Sequence, residues 1–325
     1  MMNTDDARRI IERADTLPLY LHAYAYHLNM RFEKILPGDL LDIANEHHLP
    51  GVKIHVLDGE TQSLSAMTDD QLAVFAEKAK RYHLDINIET SASDNKTLDE
   101  AIRIALKTGA SSVRFYPRYE GALSDVLRLI SADIRYLKEH YQHSGLTFVL
   151  EQHEDLKGHE LVSLIKDADF PELTLLFDFG NMINACELPM DALADMQEYI
   201  TQVHIKDAVI LEEGDGFGHK ACRSGEGNLP FKDMLRALIC LGEDKPQVIS
   251  YGLEEEVDYY APAFRFKNEG NDPWIPWRQM SETPLPETEI AERLAGEKKD
   301  AVNQIHYVRK IINELKTEAV RIISK

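Results

Sequence analysis

The chain reads as a single (β/α)8 barrel, an α/β fold, followed by an aromatic, proline-rich extension that ends in a helix. Three observations predict this. Short apolar runs alternate with longer segments of helical periodicity through most of the 325 residues, the pattern of βα units around a parallel sheet. Eight such runs precede residue 255, the number that closes a parallel barrel. The last four carry Glu151, Asp178, His204 and Glu254 at or near their ends, and residues at the C-terminal strand ends of a barrel face one common mouth.

The predicted strands, in order, are PLYLHAY (18–24), GVKIHVL (51–57), DINIET (85–90), SVRFYP (112–117), LTFVLE (146–151), LTLLFD (173–178), QVHIKD (202–207) and QVISYGLE (247–254). Most are rich in β-branched and aromatic residues, which suit a pleated, buried surface. Helical periodicity fills the intervals at 37–48, 68–82, 98–107, 123–142, 158–167, 189–199 and 230–241. Thr68, followed by Asp69 and Asp70, is a suitable N-cap, and Gly109 stands where a helix would end in a left-handed residue. Segment 211–227 is polar and glycine-containing, which predicts a long loop after the His204 strand, able to cover a substrate.

Past Glu254 the chain changes character. Tyr259, Tyr260, Phe264, Phe266, Trp274 and Trp277 are interleaved with prolines, so this stretch is not a regular helix. Packing over the barrel mouth or contact with another subunit is the favoured use of these rings, ahead of stacking on a substrate. A charged helical tail runs from Glu287 to about Lys316. The expected division is a barrel over 1–254 and an extension over 255–325, on the barrel or at a homo-oligomeric interface.

Composition narrows the function. With 36 basic and 56 acidic residues the net charge is -20, which disfavours nucleic acid and anionic membranes as partners, since both are held by clustered Lys and Arg. Cys186, Cys222 and Cys240 show no paired spacing, as in a reduced, cytoplasmic protein. No apolar run reaches the ~18 residues of a membrane span, and there is no P-loop or GxGxxG motif for a nucleotide cofactor.

The two intervals from Glu151 to Asp178 and from Asp178 to His204 each approximate one βα unit of ~30 residues. Carboxylate oxygens with one imidazole nitrogen suit a divalent cation, so the four strand-end residues read as one metal site. Glu255 and Glu256 follow Glu254 directly. Strand alternation puts Glu256 on the Glu254 face, as the reserve ligand, and Glu255 on the other.

In EQHED, FDFGN, VHIKD and GLEEE, and in the turn Gly225-Glu226-Gly227, this pattern resembles the xylose-isomerase-like sugar isomerase and epimerase superfamily. The resemblance implies a (β/α)8 barrel with one divalent cation (Mn, Co, Mg or Zn) that isomerises or epimerises a small carbohydrate through an enediolate. It implies that Glu151 and Glu254 exchange protons with the substrate carbon while Asp178 and His204 serve as structural ligands. Some relatives are instead lyases that dehydrate, decarboxylate or cleave C-glycosides. Apurinic endonucleases are more remote, since they carry a DTCH-type sequence where this chain has DFGN. A sugar-binding barrel without catalysis is the non-enzymatic alternative.

Around the four ligands stand further candidates. His153 shares the Glu151 face and could touch substrate or act as a base. Asn181 occupies a position where several ketose epimerases carry a substrate-contacting histidine. Lys206 alternates onto the His204 face and could neutralise a phosphate or carboxylate, while Asp207 points away, placed to cap the next segment. Arg223 resembles a loop arginine that grips substrate in some relatives. On earlier strands Glu89 and His22 are the first candidates for substrate contact, with Tyr24, His55 and Arg114 behind them.

Overall fold

Each of the eight apolar runs contains a strand in the computed structural model, which describes residues 2–278 and 285–324. The strands are β1 (Leu19–His22), β2 (Gly51–His55), β3 (Asp85–Glu89), β4 (Ser112–Phe115), β5 (Thr147–Glu151), β6 (Leu173–Asp178), β7 (Ile200–Ile205) and β8 (Ser250–Leu253). All neighbours are parallel, and β8 pairs with β1 to close the barrel. Both faces of these strands are buried: apolar residues pack outward against the helices, while buried polar residues such as Lys53, Asn87 and Gln202 alternate with them.

Register brings the chemistry together. Asp178 on β6 lies beside His204 on β7, and His204 lies beside Gly252 on β8. A side chain at Gly252 would stand 2.6 Å from Lys53 Cδ and 3.2 Å from the His204 ring, so glycine here makes room for both. Beneath the mouth the barrel is polar. Lys53 is fully buried and donates to Asn87 (3.1 Å) and Gln202 (2.5 Å), and Gln202 donates to Ser112 (2.9 Å).

Local signals set the helix ends. Thr68 accepts from the Gln71 amide while Gln71 returns a bond to the Thr68 amide, a capping box that starts helix Asp69–Arg81. Helix Asn95–Thr108 starts three residues before the predicted 98, because Asp94 caps it, and ends at Gly109 with φ +70°. The C-terminal helix is longer than expected, Ile290–Ile323, and buries Ile305, Val308, Ile312 and Leu315. An unpredicted helix, Thr4–Arg13, is capped by Asn3 and carries buried Arg13 to the carbonyls of Ile239, Leu241 and Gly242. That guanidinium satisfies acceptors left open where helix Phe231–Cys240 ends.

Two expectations are corrected. Strand β1 stops at His22 rather than 24, because the His22 ring accepts the Tyr24 amide and turns the chain into a 3-10 helix, Ala23–Tyr26. Segment 211–227 is largely a β-hairpin, Asp207–Glu213 against Gly216–Cys222, with Tyr260–Ala261 added as a third strand. Its glycines mark the turn and close backbone approach within the hairpin. Asp207 caps the turn that follows, accepting from Gly225 (2.8 Å) and Gly227 (3.1 Å).

In the extension, Trp274 and Trp277 are exposed, and only Tyr259 of the six predicted rings lines the cavity at the barrel mouth. Residues 279–284 of that stretch lie outside the described residues. No helix among the described residues is long and apolar enough to cross a membrane, and the three cysteines are unpaired.

Glu187 offers a stability test away from the mouth. It accepts from the Gly158 amide (2.8 Å) and Gln152 (3.2 Å), and burial pushes its carboxyl up to about 7. A carboxyl raised on folding favours the folded state at low pH, and that contribution is lost as pH rises from about 4.5 through 7. Glu187→Gln keeps the acceptor and removes the titration. Its Tm should match wild type near pH 4 and exceed it by about 2 °C at pH 8; calorimetry showing the same difference at both pH values would contradict this.

Candidate metal centre

Glu151 ends β5, Asp178 ends β6, His204 lies in β7 and Glu254 follows β8, so four consecutive strands deliver them to one point. All four are buried. His204 is central: Nδ1 faces Glu151 Oε1 at 3.4 Å, Glu254 Oε1 at 3.5 Å and Asp178 Oδ2 at 4.0 Å. Ligand atoms of Glu151, Asp178 and His204 lie within 4.8 Å of one another. Glu254 stands just outside that group, turned toward Lys206 (3.4 Å) and His22 (3.6 Å).

The residues fit a divalent cation on two counts. Glu151 Oε2, Asp178 Oδ2, His204 Nδ1 and Glu254 Oε2 are buried without a hydrogen bond, although buried polar atoms are normally paired. Among the described residues Glu89, Glu151, Asp178 and Glu254 are ion-paired with two permanent cations, Arg114 and Lys206. The carboxylates at the centre outnumber these two partners, and a divalent cation would offset their repulsion. Carboxylate oxygens and a single imidazole suit Mn, Co, Mg or Zn better than a soft, thiolate-seeking metal.

Proton affinities reflect the same crowding. Burial raises the Asp178 carboxyl to about 7, with Glu254 and Glu151 adding to the effect against Lys206. Burial also acts to raise Glu254, but Lys206, His204 and His22 hold it well below the usual carboxylate range. For His204 burial opposes the charged ring, yet Glu254, Glu89 and Glu151 outweigh it and bring it to about 9. A cation at Nδ1 would take the place of that proton.

A supporting layer orients these groups. Glu89 is fully buried and accepts from His204 Nε2 (3.0 Å), His22 Nε2 (2.9 Å) and Arg114. Holding Nε2 aims the other nitrogen of His204 at the carboxylates, the usual service of a second carboxylate behind a ligating histidine. His22, Glu89 and His204 could themselves surround an ion, but their atoms are hydrogen-bonded to one another. Asp178 Oδ1 accepts the amides of Gly180 (2.7 Å) and Asn181 (2.8 Å), which leaves Oδ2 for the centre.

Lys206 is buried and points its ammonium at Asn181 (2.9 Å), Asp178 (3.1 Å) and Glu254 (3.4 Å). Burial disfavours its charge, but Asp178, Glu254 and Glu256 raise its pKa, so it stays protonated. Asn181 lies 3.3 Å from Glu151 and lines the cavity. His153 stacks on Tyr116 with centroids 3.8 Å apart, and its Nδ1 accepts from Arg278 at 2.7 Å. Burial and then Arg278 push its pKa well down, so the ring is neutral with its proton on Nε2. Arg223 goes elsewhere, pairing with Asp300 on the C-terminal helix at 2.8 Å beside an outer cleft.

Glu151, Glu254, Lys206, Asn181, His153 and Arg278 line a cavity of about 90 Å³ together with Tyr24, His55, Arg118, Glu256 and Tyr259. Three neighbours escaped sequence reasoning. Arg278 comes from the extension, Arg118 follows β4, and His219 sits on the hairpin, fully buried with Nε2 unpaired and Nδ1 2.6 Å from Asn184. Only Arg118 had an available signal, three residues beyond the end of a barrel strand at the mouth.

Comparison with known proteins agrees with the fold. Over all 325 residues, and over the whole length of both chains, the sequence is 64% identical to the uncharacterized protein YihM of Escherichia coli (strain K12). It is 24% identical over 151 residues to a 3-oxo-isoapionate decarboxylase of Pectobacterium atrosepticum, covering 46% of this chain and 47% of that one. The fold matches a crystal structure of D-psicose 3-epimerase in the presence of D-fructose with a TM-score of 0.60 at 12% identity, over 91% of this chain and 99% of that one. Residues 41–262 match the model of one family, so the chain belongs to the xylose isomerase-like TIM barrel family.

Proposed function

We propose that the protein is a divalent-metal-dependent isomerase or epimerase of a small carbohydrate, moving a proton on a carbon next to a carbonyl. The observation that supports this most is the placement of Glu151 and Glu254. They approach His204 Nδ1 from the two ends of the four-strand arc, at 3.4 and 3.5 Å, each with a buried oxygen that has no hydrogen bond.

Glu151, Asp178 and His204, with Glu254, would hold the cation, which supplies Lewis acidity for the negative charge that develops on the carbonyl oxygen. One glutamate takes the carbon-bound proton, and the other delivers a proton to the opposite face or the adjacent carbon. Lys206 remains charged beside Asp178 and Glu254 and limits their mutual repulsion. His153 is a hydrogen-bond donor to a substrate oxygen rather than a base, because Arg278 occupies its acceptor nitrogen. Asn181 positions a hydroxyl.

A second reading is a lyase, decarboxylation above all. It is favoured by the sequence match to a 3-oxo-isoapionate decarboxylase, and by a protonated Lys206 that could balance the negative charge left on the substrate when CO2 departs. Incubation with Mn and a panel of ketoses and keto-sugar acids in D2O separates the two. Deuterium entering recovered sugar without loss of CO2 or water is the result expected of the isomerase. Stoichiometric CO2 or water release would replace it with the lyase, and no turnover with any member would count against both.

A further inference from the structure

We propose that Arg118 and Arg278 form an oxyanion-binding subsite at the cavity mouth, so that the substrate is a sugar bearing a carboxylate or phosphate group rather than a neutral sugar. The inference rests on the reading of the centre as a carbohydrate-processing metal site. It adds the class of substrate.

Three guanidinium groups surround the Tyr116 ring, with Arg278 at 5.1 Å, Arg114 at 5.3 Å and Arg118 at 5.7 Å from its centroid. Their charges are matched unequally. Arg114 is bound to Glu89 and lies 3.2 Å from Glu151. Arg278 is 6% exposed, and its nearest carboxylates, Glu154 and Asp155, are 3.5 and 3.7 Å away. Glu154 also accepts the Tyr259 hydroxyl at 2.5 Å. Arg118 makes no ion pair among the described residues, and its one hydrogen bond goes to the Arg278 carbonyl at 2.6 Å.

The Nε atoms of both Arg118 and Arg278 are buried without a partner. A guanidinium so placed carries a desolvation cost that an anion would offset, and its planar fork matches a carboxylate or phosphate. Both arginines line the same cavity as Glu151 and Glu254. One compact molecule can therefore place its carbonyl end at the carboxylates and its charged end at the arginines. Lys206 is less suited to that second role, since it is directed at Asp178, Asn181 and Glu254.

The test compares matched probes on metal-free and Mn-loaded protein by calorimetry: inorganic phosphate, D-fructose, D-fructose 6-phosphate and 2-keto-D-gluconate. Wild type should bind at least one anionic sugar about tenfold more tightly than D-fructose. In Arg118→Gln that preference should fall to within about twofold while D-fructose affinity holds, and Arg118→Lys should recover part of it. The phosphate and carboxylate arms identify which anion is used. Equal binding of neutral and anionic sugars, or a preference that survives in Arg118→Gln, overturns the subsite. Arg118-dependent phosphate binding is read without metal, and metal content is measured separately, so failure of the metal site is distinguishable from failure of the subsite.

Discussion

Asp178→Asn should abolish stable metal binding and lower turnover on the order of 10³-fold. Lewis-acid stabilisation is worth several kcal/mol, and ~4 kcal/mol is a factor of about 10³. The substitution is informative because the two oxygens of Asp178 have different tasks. Oδ1 accepts the Gly180 and Asn181 amides, a service that asparagine can keep. Oδ2 is the buried oxygen that faces the centre and Lys206, and its replacement by an amide NH2 cannot ligate a cation. Metal per chain by mass spectrometry, alongside turnover, checks this, with circular dichroism of the metal-free protein as the control for folding. A variant that retained stoichiometric metal and wild-type rates would remove Asp178 from the site.

Glu151→Gln and Glu254→Gln, made separately, should each lower kcat by roughly 10²–10⁴-fold, the range for loss of a positioned acid or base. KM should change far less, since glutamine preserves size and hydrogen bonding. The two variants need not be equivalent. Glu151 is flanked by Arg114 and Asn181, whereas Glu254 is flanked by Lys206 and His22. The variant that keeps the base which first removes the carbon-bound proton should still exchange solvent deuterium into substrate without forming product. Full turnover and full metal in both would dismiss the acid/base assignment.

These experiments follow from residues that were partly legible in one dimension. Buried parallel strands announce themselves as apolar runs, and the residue that ends each run must sit at the mouth. Glu151, Asp178 and His204 could be named together for that reason. Lys206 and Asp207 were separable by strand alternation, and the structure places them accordingly, one at the centre and one on the Gly225–Gly227 amides. The hairpin at Asp207–Glu213 and Gly216–Cys222 was misread, because its glycines and charges look like a loop when only chain-local polarity is considered. Arg223 was misplaced for a related reason: its partner, Asp300, lies on a distant helix.

The sequence by itself determined the barrel, the order of its strands and the donor chemistry of four strand ends, because strand periodicity and apolar burial are properties of short segments. Only the tertiary structure decided how those donors are used. Glu89 reaches His204 across strands and selects which ring nitrogen faces the carboxylates, and Arg278 arrives from beyond the barrel to hold His153 neutral. Arg118 makes no ion pair among the described residues and keeps a buried, unpartnered Nε at the mouth. Such roles depend on burial and on partners separated by tens to more than a hundred residues, for which local patterning carries no signal.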